Sequence, residues 1–168
     1  GPIPAGDGVQ ELAARLVERA RERGISFALA ESCTGGRACA AVTAVPGAST
    51  SFQGGVVAYS NPVKERILGV PAAVLQRHGA VSAPCAEALA QGARDRFEVP
   101  WAASVTGIAG PEGGSDEKPV GTVWFALAGP GVVRTWKVLF SGDRGEIQAQ
   151  AVREILRGLL GAWEGLGP

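Results

Sequence analysis

The chain changes from strand to helix at Ala30-Glu31-Ser32-Cys33-Thr34-Gly35-Gly36. The apolar run before it, 26–30, predicts a buried strand, and the small residues after it, 37–43, predict a helix. A strand, a polar turn with two glycines and a helix bring free backbone N–H groups and a helix dipole together. The pattern indicates either an anion pocket of an open α/β fold or a plain capped turn, since neither the GxGxxG nor the GxxxxGK[ST] spacing is present.

The composition is typical of one globular domain with no marked attraction to polyanions. The 168 residues include 16 basic and 16 acidic side chains, so the charge balance gives no support for direct contact with nucleic acid or an anionic membrane. We expect residues 1–8 to be a linker or a cloning remnant and residues 9–165 to form the domain. The cysteines lack CxxC spacing and lie among small or apolar residues, which favours reduced thiols and a cytoplasmic protein; they are Cys33, Cys39 and Cys85.

Hydrophobic periodicity and turn residues predict the elements along the chain. Strands are predicted at 26–30, 55–60, 101–105, 121–128 and 132–140. The last two are joined by Gly129-Pro130-Gly131, which predicts an antiparallel hairpin. Helices are predicted at 9–23, 37–43, 62–68, 71–77, 82–97 and 145–163.

This order of elements predicts the fold class and the position of a site. Strands that alternate with helices, followed by a hairpin and a helix, predict a single three-layer α/β/α domain with a mixed, mostly parallel sheet and a C-terminal antiparallel hairpin. Three loops should meet at the carboxyl ends of the strands, where open α/β sheets bind ligands: 32–36, 49–64 and 106–115. The last of these runs on to residue 119, which is typical of a functional loop or lid whose Asp116, Glu117 and Lys118 are solvated.

The types of side chain available at these loops limit the chemistry. His78 is the only histidine and has no partner at ligand spacing, so we expect it to be structural rather than part of a zinc site or a Ser–His–Asp triad. Lys64 is then the candidate base for an activated serine, because a desolvated lysine loses its proton at a lower pH. A solvated surface lysine is the competing interpretation. Cys33 is a rival nucleophile, since a helix N-terminus lowers the pKa of a thiol.

Five motifs occur in order along nearly the whole chain. They are Ala30 to Gly36, Tyr59-Ser60-Asn61 with Lys64, Gly79-Ala80-Val81-Ser82, Thr106-Gly107-Ile108-Ala109-Gly110-Pro111 with Gly113-Gly114, and Lys118-Pro119-Val120-Gly121-Thr122-Val123. Together they resemble the CinA carboxy-terminal domain family, whose enzymatic members are the nicotinamide mononucleotide (NMN) deamidases. The resemblance implies an amidohydrolase that converts NMN to nicotinate mononucleotide and ammonia, without a metal or another cofactor.

The resemblance also implies catalytic roles. In that family a serine lies fifteen residues before a lysine, and a tyrosine lies five residues before it; here these are Ser49, Lys64 and Tyr59. Ser49 is then expected to attack the carboxamide carbon and form an acyl-enzyme. Neutral Lys64 would accept its proton and later help ammonia leave, while Tyr59 orients the pair or relays the proton. Backbone N–H groups near Ser49 or in a glycine loop would hold the oxyanion.

Binding residues and partners follow from the same resemblance. A guanidinium at a helix start suits phosphate, although a surface salt bridge is the other interpretation of Arg144. A homodimer or larger homo-oligomer is expected. Two other functions stay open: a cysteine amidase that uses Cys33, and a non-catalytic nucleotide-binding or regulatory module linked to competence and to a DNA recombinase. The residues expected to bind the mononucleotide are Ser32, Thr34, Gly35, Gly36, Thr106, Gly107 and Arg144.

Overall fold

The computed structural model describes residues 8–165, so the expected linker at 1–8 lies outside the described part except for Gly8. The five strands are β1 (Phe27–Glu31), β2 (Phe52–Val57), β3 (Trp101–Gly107), β4 (Thr122–Gly129) and β5 (Val132–Leu139). A short 3₁₀ helix, Ala48–Thr50, precedes β2. The six α-helices are α1 (Val9–Arg23), α2 (Arg37–Thr43), α3 (Asn61–Leu68), α4 (Ala72–His78), α5 (Ala83–Phe97) and α6 (Arg144–Trp163).

The strands form one mixed sheet in the order β2-β1-β3-β4-β5. Strand β1 pairs parallel with both β2 and β3, while β4 pairs antiparallel with β3 and with β5. Strands β4 and β5 form the hairpin that the Gly-Pro-Gly turn predicts. The single α/β domain with antiparallel C-terminal strands is therefore confirmed.

Alternating side chains of the strands bury two cores, one on each face of the sheet. Phe27 and Leu29 of β1 pack in the larger core, with residues of α1, α2 and α6. Ala30, the next residue, faces the opposite core, with Leu89 and Leu68 of α5 and α3. Because successive side chains of a strand point to opposite faces, this short apolar run serves both layers of helices at once.

Every element except β2 begins within one residue of the sequence-based expectation, and the starts of β2 and α3 have identifiable local causes. Strand β2 begins three residues earlier than predicted, because Phe52 pairs with Phe27 of β1 and their rings pack in a tilted arrangement with centroids 5.2 Å apart. Helix α3 is capped by Ser60 rather than by Asn61, since the Ser60 hydroxyl accepts a hydrogen bond from the Val63 amide at 3.4 Å.

The sheet topology decides which loops share an edge. Strands β1, β2 and β3 run parallel, so their carboxyl ends lie together and the segments that follow them meet there. Ser32 directly follows β1, Tyr59 and α3 follow β2, and the long loop at 108–121 follows β3. Within residues 8–165, none of the helices combines the length and apolar character needed to cross a membrane.

Candidate active site

A cavity of about 300 Å³ opens at the carboxyl edge of the three parallel strands. The turn after β1, the start of α3, the loop after β3 and the start of α6 all contribute to its walls. Residues of all three predicted loops therefore meet at this cavity, together with Arg144. The lining includes Ser32, Tyr59, Lys64, Thr106, Gly107 and Arg144.

Lys64 is the buried cation of this cavity. Only 1% of the residue is exposed, and its Nζ lies 3.0 Å from Ser32 Oγ and 2.7 Å from the carbonyl oxygen of Tyr59. Among residues 8–165 the structure shows no ion pair between Lys64 and a carboxylate. Burial lowers the pKa of the Lys64 amine, and the nearby Cys85 and Cys33 thiols oppose this shift more weakly. An amine held in this way is suited to act as a general base for the Ser32 hydroxyl.

The turn that carries Ser32 is held by the buried carboxylate of Glu31. This residue is 0% exposed and accepts hydrogen bonds from Thr34 Oγ1 at 2.5 Å and from the amides of Ala38 and Cys39 at 3.0 and 2.8 Å. The carboxylate thus occupies the N-terminus of α2, where the helix dipole and free amides stabilise negative charge. The Ser32 amide donates to the carbonyl of Val105 in β3 at 3.0 Å, which attaches the turn to the sheet.

The glycine pair of the turn has a conformational role. Gly35 and Gly36 have φ values of 60° and 96°, in the left-handed region that glycine adopts without the cost that a Cβ imposes. Neither lines the cavity, and neither does Thr34, whose hydroxyl is bound to Glu31. Ser32 is thus the member of the group that lines this cavity, and contacts of Thr34, Gly35 and Gly36 with a ligand stay a prediction.

Ser49 lies just before the amino end of strand β2, whereas Lys64 lies beyond the carboxyl end of the same strand. Their expected pairing is therefore wrong. Ser49 belongs to the 3₁₀ helix before β2 and lines a separate cavity with Thr43 and Gln53. The two ends of a strand of this length are roughly 15 Å apart. Ser32 is the hydroxyl that lies within hydrogen-bonding distance of Lys64.

Tyr59 and Arg144 form the rim of the cavity. The Tyr59 side chain is 61% exposed, and its hydroxyl accepts a hydrogen bond from Arg144 Nη2 at 3.3 Å. Arg144 Nη1 donates to the carbonyl of Gly110 in the long loop at 2.6 Å. Tyr59 therefore orients Lys64 through its main-chain carbonyl, and its hydroxyl is bonded to the guanidinium instead of to the base. The Thr106 hydroxyl donates a hydrogen bond to the carbonyl oxygen of Ala80 at 3.0 Å, which fixes the adjacent wall of the cavity.

Cys33 lines the cavity but is poorly suited to be a nucleophile. It is buried, and burial raises the pKa of its thiol to about 12, with a further, smaller contribution from the Glu31 carboxylate. The thiolate that would react is thus disfavoured at neutral pH.

His78 and Lys118 lie outside the cavity, and both were considered in the sequence analysis. His78 is exposed at the end of α4 and does not line the cavity. Lys118 donates from Nζ to the His78 carbonyl at 2.6 Å, so it attaches the long loop to α4 as well as being partly solvated.

Sequence reasoning missed two buried polar residues that support the turn, and it gave Ser32 only a binding role. Glu31 stands out in the sequence as a carboxylate that directly follows an apolar strand. Gln148 is a polar residue on the otherwise apolar face of α6, and its Nε2 donates to the carbonyl of Cys33 at 3.0 Å. For Ser32 the available signal was its position directly after a central strand, where the carboxyl edge collects ligands.

Comparison with known proteins gives a consistent family assignment. Residues 9–162 match the model of the CinA C-terminal domain. A CinA-like protein of Anaeromyxobacter sp. (strain Fw109-5) is 54% identical over 156 residues, which are 93% of this chain and 38% of that protein. A CinA-like protein of Gemmatimonas aurantiaca is 49% identical over 148 residues, 88% of this chain and 35% of that protein. The chain thus spans little more than a third of these relatives.

Solved structures agree over the whole domain. The crystal structure of a competence-damaged protein (CinA) superfamily protein from Klebsiella pneumoniae 700603 has a TM-score of 0.91 and 36% identity, and covers 95% of this chain and 99% of that one. The competence/damage inducible protein from Agrobacterium tumefaciens has a TM-score of 0.90 and 38% identity, with 96% and 99% covered. At these identities the likeness extends beyond fold class to a shared domain family.

Proposed function

The chain belongs to the CinA C-terminal domain family, and on that premise we propose that it is an amidohydrolase that converts NMN to nicotinate mononucleotide and ammonia. The observation that supports this most is the contact between Ser32 Oγ and the buried Nζ of Lys64 at 3.0 Å inside the cavity. In this proposal Ser32 is the nucleophile, in place of Ser49, to which the motif resemblance in the sequence had assigned that role.

The first chemical step forms an ester on Ser32. Lys64 in its neutral form, which burial favours by lowering its pKa, accepts the hydroxyl proton while Ser32 Oγ bonds to the carboxamide carbon. The carbonyl of Tyr59, 2.7 Å from Nζ, accepts one amine hydrogen and leaves the nitrogen lone pair for Ser32. The tetrahedral intermediate then collapses, the C–N bond breaks, and the Lys64 ammonium returns the proton to the departing nitrogen as ammonia.

The second step hydrolyses the ester. Lys64, neutral again after ammonia has left, removes a proton from a water molecule that attacks the acyl carbon. The C–O bond to Ser32 breaks, and the Ser32 oxygen recovers its proton from Lys64. The released carboxylic acid then loses its own proton to solvent and leaves as nicotinate mononucleotide. One amine thus serves as base and acid in both halves of the reaction.

Negative charge develops on the carbonyl oxygen in both steps and needs donors. The amide of Cys33 directly follows the nucleophile, the position that supplies an oxyanion donor in other serine hydrolases. Within residues 8–165 this N–H has no acceptor, so it is available to a substrate. A preformed backbone donor of this kind stabilises the transition state without reorganisation.

The rim residues suit the rest of the mononucleotide. Arg144 has five N–H donors, of which two are engaged by Gly110 and Tyr59, so its guanidinium retains donors and a full charge for a phosphate. The Tyr59 ring is held by that bond at the cavity mouth, where its face can pack on the cationic pyridinium ring of NMN. These two residues therefore recognise opposite ends of the substrate.

A pair of serine variants tests the proposal. The purified domain is incubated with NMN, and ammonia is measured for the wild type, Ser32→Ala and Ser49→Ala. Ser32→Ala should lower kcat about 1000-fold or more, because the nucleophile is lost. Ser49→Ala should stay within about twofold of the wild type, since Ser49 lies outside this cavity.

Two results would count against the proposal. A folded wild-type domain that binds NMN but releases no ammonia would indicate a binding or regulatory module instead. If Ser49→Ala lost activity while Ser32→Ala stayed active, Ser49 and not Ser32 would be the nucleophile. Thermal unfolding of both variants shows that each is folded before its rate is interpreted.

A further inference from the structure

Gln148 is the buried polar side chain that reaches the Ser32 turn from the last helix. It is 8% exposed, and its Nε2 donates to the carbonyl oxygen of Cys33 at 3.0 Å. It lies four residues after Arg144, so both side chains project from the same face of α6. Its neighbours on the buried side of the helix, Ile147 and Ala151, are apolar. Packing alone would be satisfied by an apolar side chain at this position, so the buried amide points to a polar role.

The bonds around Cys33 show what that use is. The carbonyl of Ser32 accepts from the Gly35 amide at 3.1 Å, which fixes the peptide plane before Cys33. Gln148 fixes the peptide plane after it. The N–H of Cys33 lies between these two anchored carbonyls and, among the described residues, has no acceptor of its own. A donor that is held rigidly and left unpaired next to a nucleophile is what an oxyanion requires.

We propose that Gln148 is a positioning residue that holds the Cys33 main chain so that its N–H is directed at the carbonyl oxygen of the substrate. The proposal rests on the amidohydrolase function proposed above. Gln148 does not line the cavity, so its role is exerted through its bond to Cys33. Since Arg144 and Gln148 share one rigid helix, α6 sets the phosphate-binding and oxyanion-binding groups in a constant relation to each other.

The test replaces Gln148 by methionine, which fills a similar volume but cannot donate. With NMN as substrate, Gln148→Met should lower kcat about 10- to 100-fold, as a donor displaced by a fraction of an ångström does, and leave KM nearly unchanged. The pH at which the rate is half-maximal should not move, because the surroundings of Lys64 are unaltered. The matched control is Gln150→Met on the same helix, whose side chain bonds the carbonyls of Ser141 and Glu146 outside the cavity; its kcat should equal that of the wild type.

A second readout does not depend on turnover of the amide. A fluorophosphonate probe labels an active serine through a tetrahedral centre whose oxygen uses the same donor, so labelling of Ser32 should slow by a similar factor in Gln148→Met. Gln148→Glu, which keeps the shape but as a carboxylate cannot donate, should show the same loss and replaces the methionine variant if that one does not fold.

The outcomes separate the two proposals. A folded Gln148→Met with full kcat and full labelling, whatever its melting temperature, overturns the positioning role and leaves Gln148 a structural residue. A wild type that neither releases ammonia nor reacts with the probe overturns the amidohydrolase function itself. A loss in kcat with normal KM and normal pH dependence supports the inference.

Discussion

Replacing Lys64 by methionine should abolish ammonia release and, at neutral pH, increase the free energy of unfolding. Lys64 is almost wholly buried, and within residues 8–165 it has no carboxylate partner, so its charged form is disfavoured in the folded state. Methionine has a similar length and no charge to bury. A base placed for catalysis at the expense of stability is a common compromise in enzymes.

The magnitude and the sign follow from proton linkage. The lysine pKa is 10.5 in the unfolded chain and lower in the folded protein. The folded state therefore binds fewer protons between the two values, and wild-type stability rises with pH across that window. Each tenfold weakening of proton binding costs about 1.4 kcal/mol below the window. Lost bonds to Ser32 and Tyr59 offset this by about 1 kcal/mol each. We expect the cost of burying the charge to exceed that loss, so Lys64→Met should be more stable than the wild type at pH 7.

Denaturant unfolding at several pH values between 7 and 10.5 measures the difference. The advantage of Lys64→Met should be largest at pH 7 and should shrink as the pH approaches 10.5, where the unfolded chain also begins to lose the lysine proton. Lys118→Met, which removes a partly exposed amine outside the cavity, is the activity control and should still release ammonia. A Lys64→Met protein that is less stable than the wild type by the same amount at every pH would refute the reasoning.

Four further predictions concern the same cavity. The wild-type rate should fall as the pH drops through the lowered pKa of Lys64, because protonation removes the base; a rate that rises on acidification would contradict this. Tyr59→Phe should raise KM several-fold, because the bond between the hydroxyl and Arg144 is lost. Its kcat should fall less than about threefold, because the main-chain carbonyl that orients Lys64 remains. A kcat loss near 100-fold would indicate that the hydroxyl is a proton relay. Arg144→Met should raise KM for NMN at least tenfold but not for nicotinamide riboside, which lacks the phosphate; equal effects on both would remove the phosphate role. Iodoacetamide should leave the rate unchanged, because the Cys33 thiol is buried with its pKa raised to about 12, and inactivation would revive the cysteine mechanism.

Local sequence rules were sufficient to predict most of the elements. Helices α1 and α2 have the predicted bounds, because their signals lie within a few residues: glycine on both sides of α1, and Gly36 before the small-residue run of α2. The hairpin β4–β5 follows from turn chemistry in the same way. The family resemblance also follows from the sequence, since its five motifs are short and ordered. Lys64 could also be singled out as the candidate base, because the chain has one histidine, which has no partner at ligand spacing.

The identity of the hydroxyl that meets Lys64 depended on the tertiary structure. Ser49 is near Lys64 in sequence, but strand β2 lies between them, so the two residues are at opposite ends of that strand. Ser32 is distant in sequence, yet the parallel pairing of β1 with β2 places the ends of both strands at one edge. Gln148, 115 positions after Cys33, reaches the same turn only because α6 packs beside α2. Sequence spacing determines what neighbouring residues form, whereas strand direction and layer packing determine which distant side chains meet.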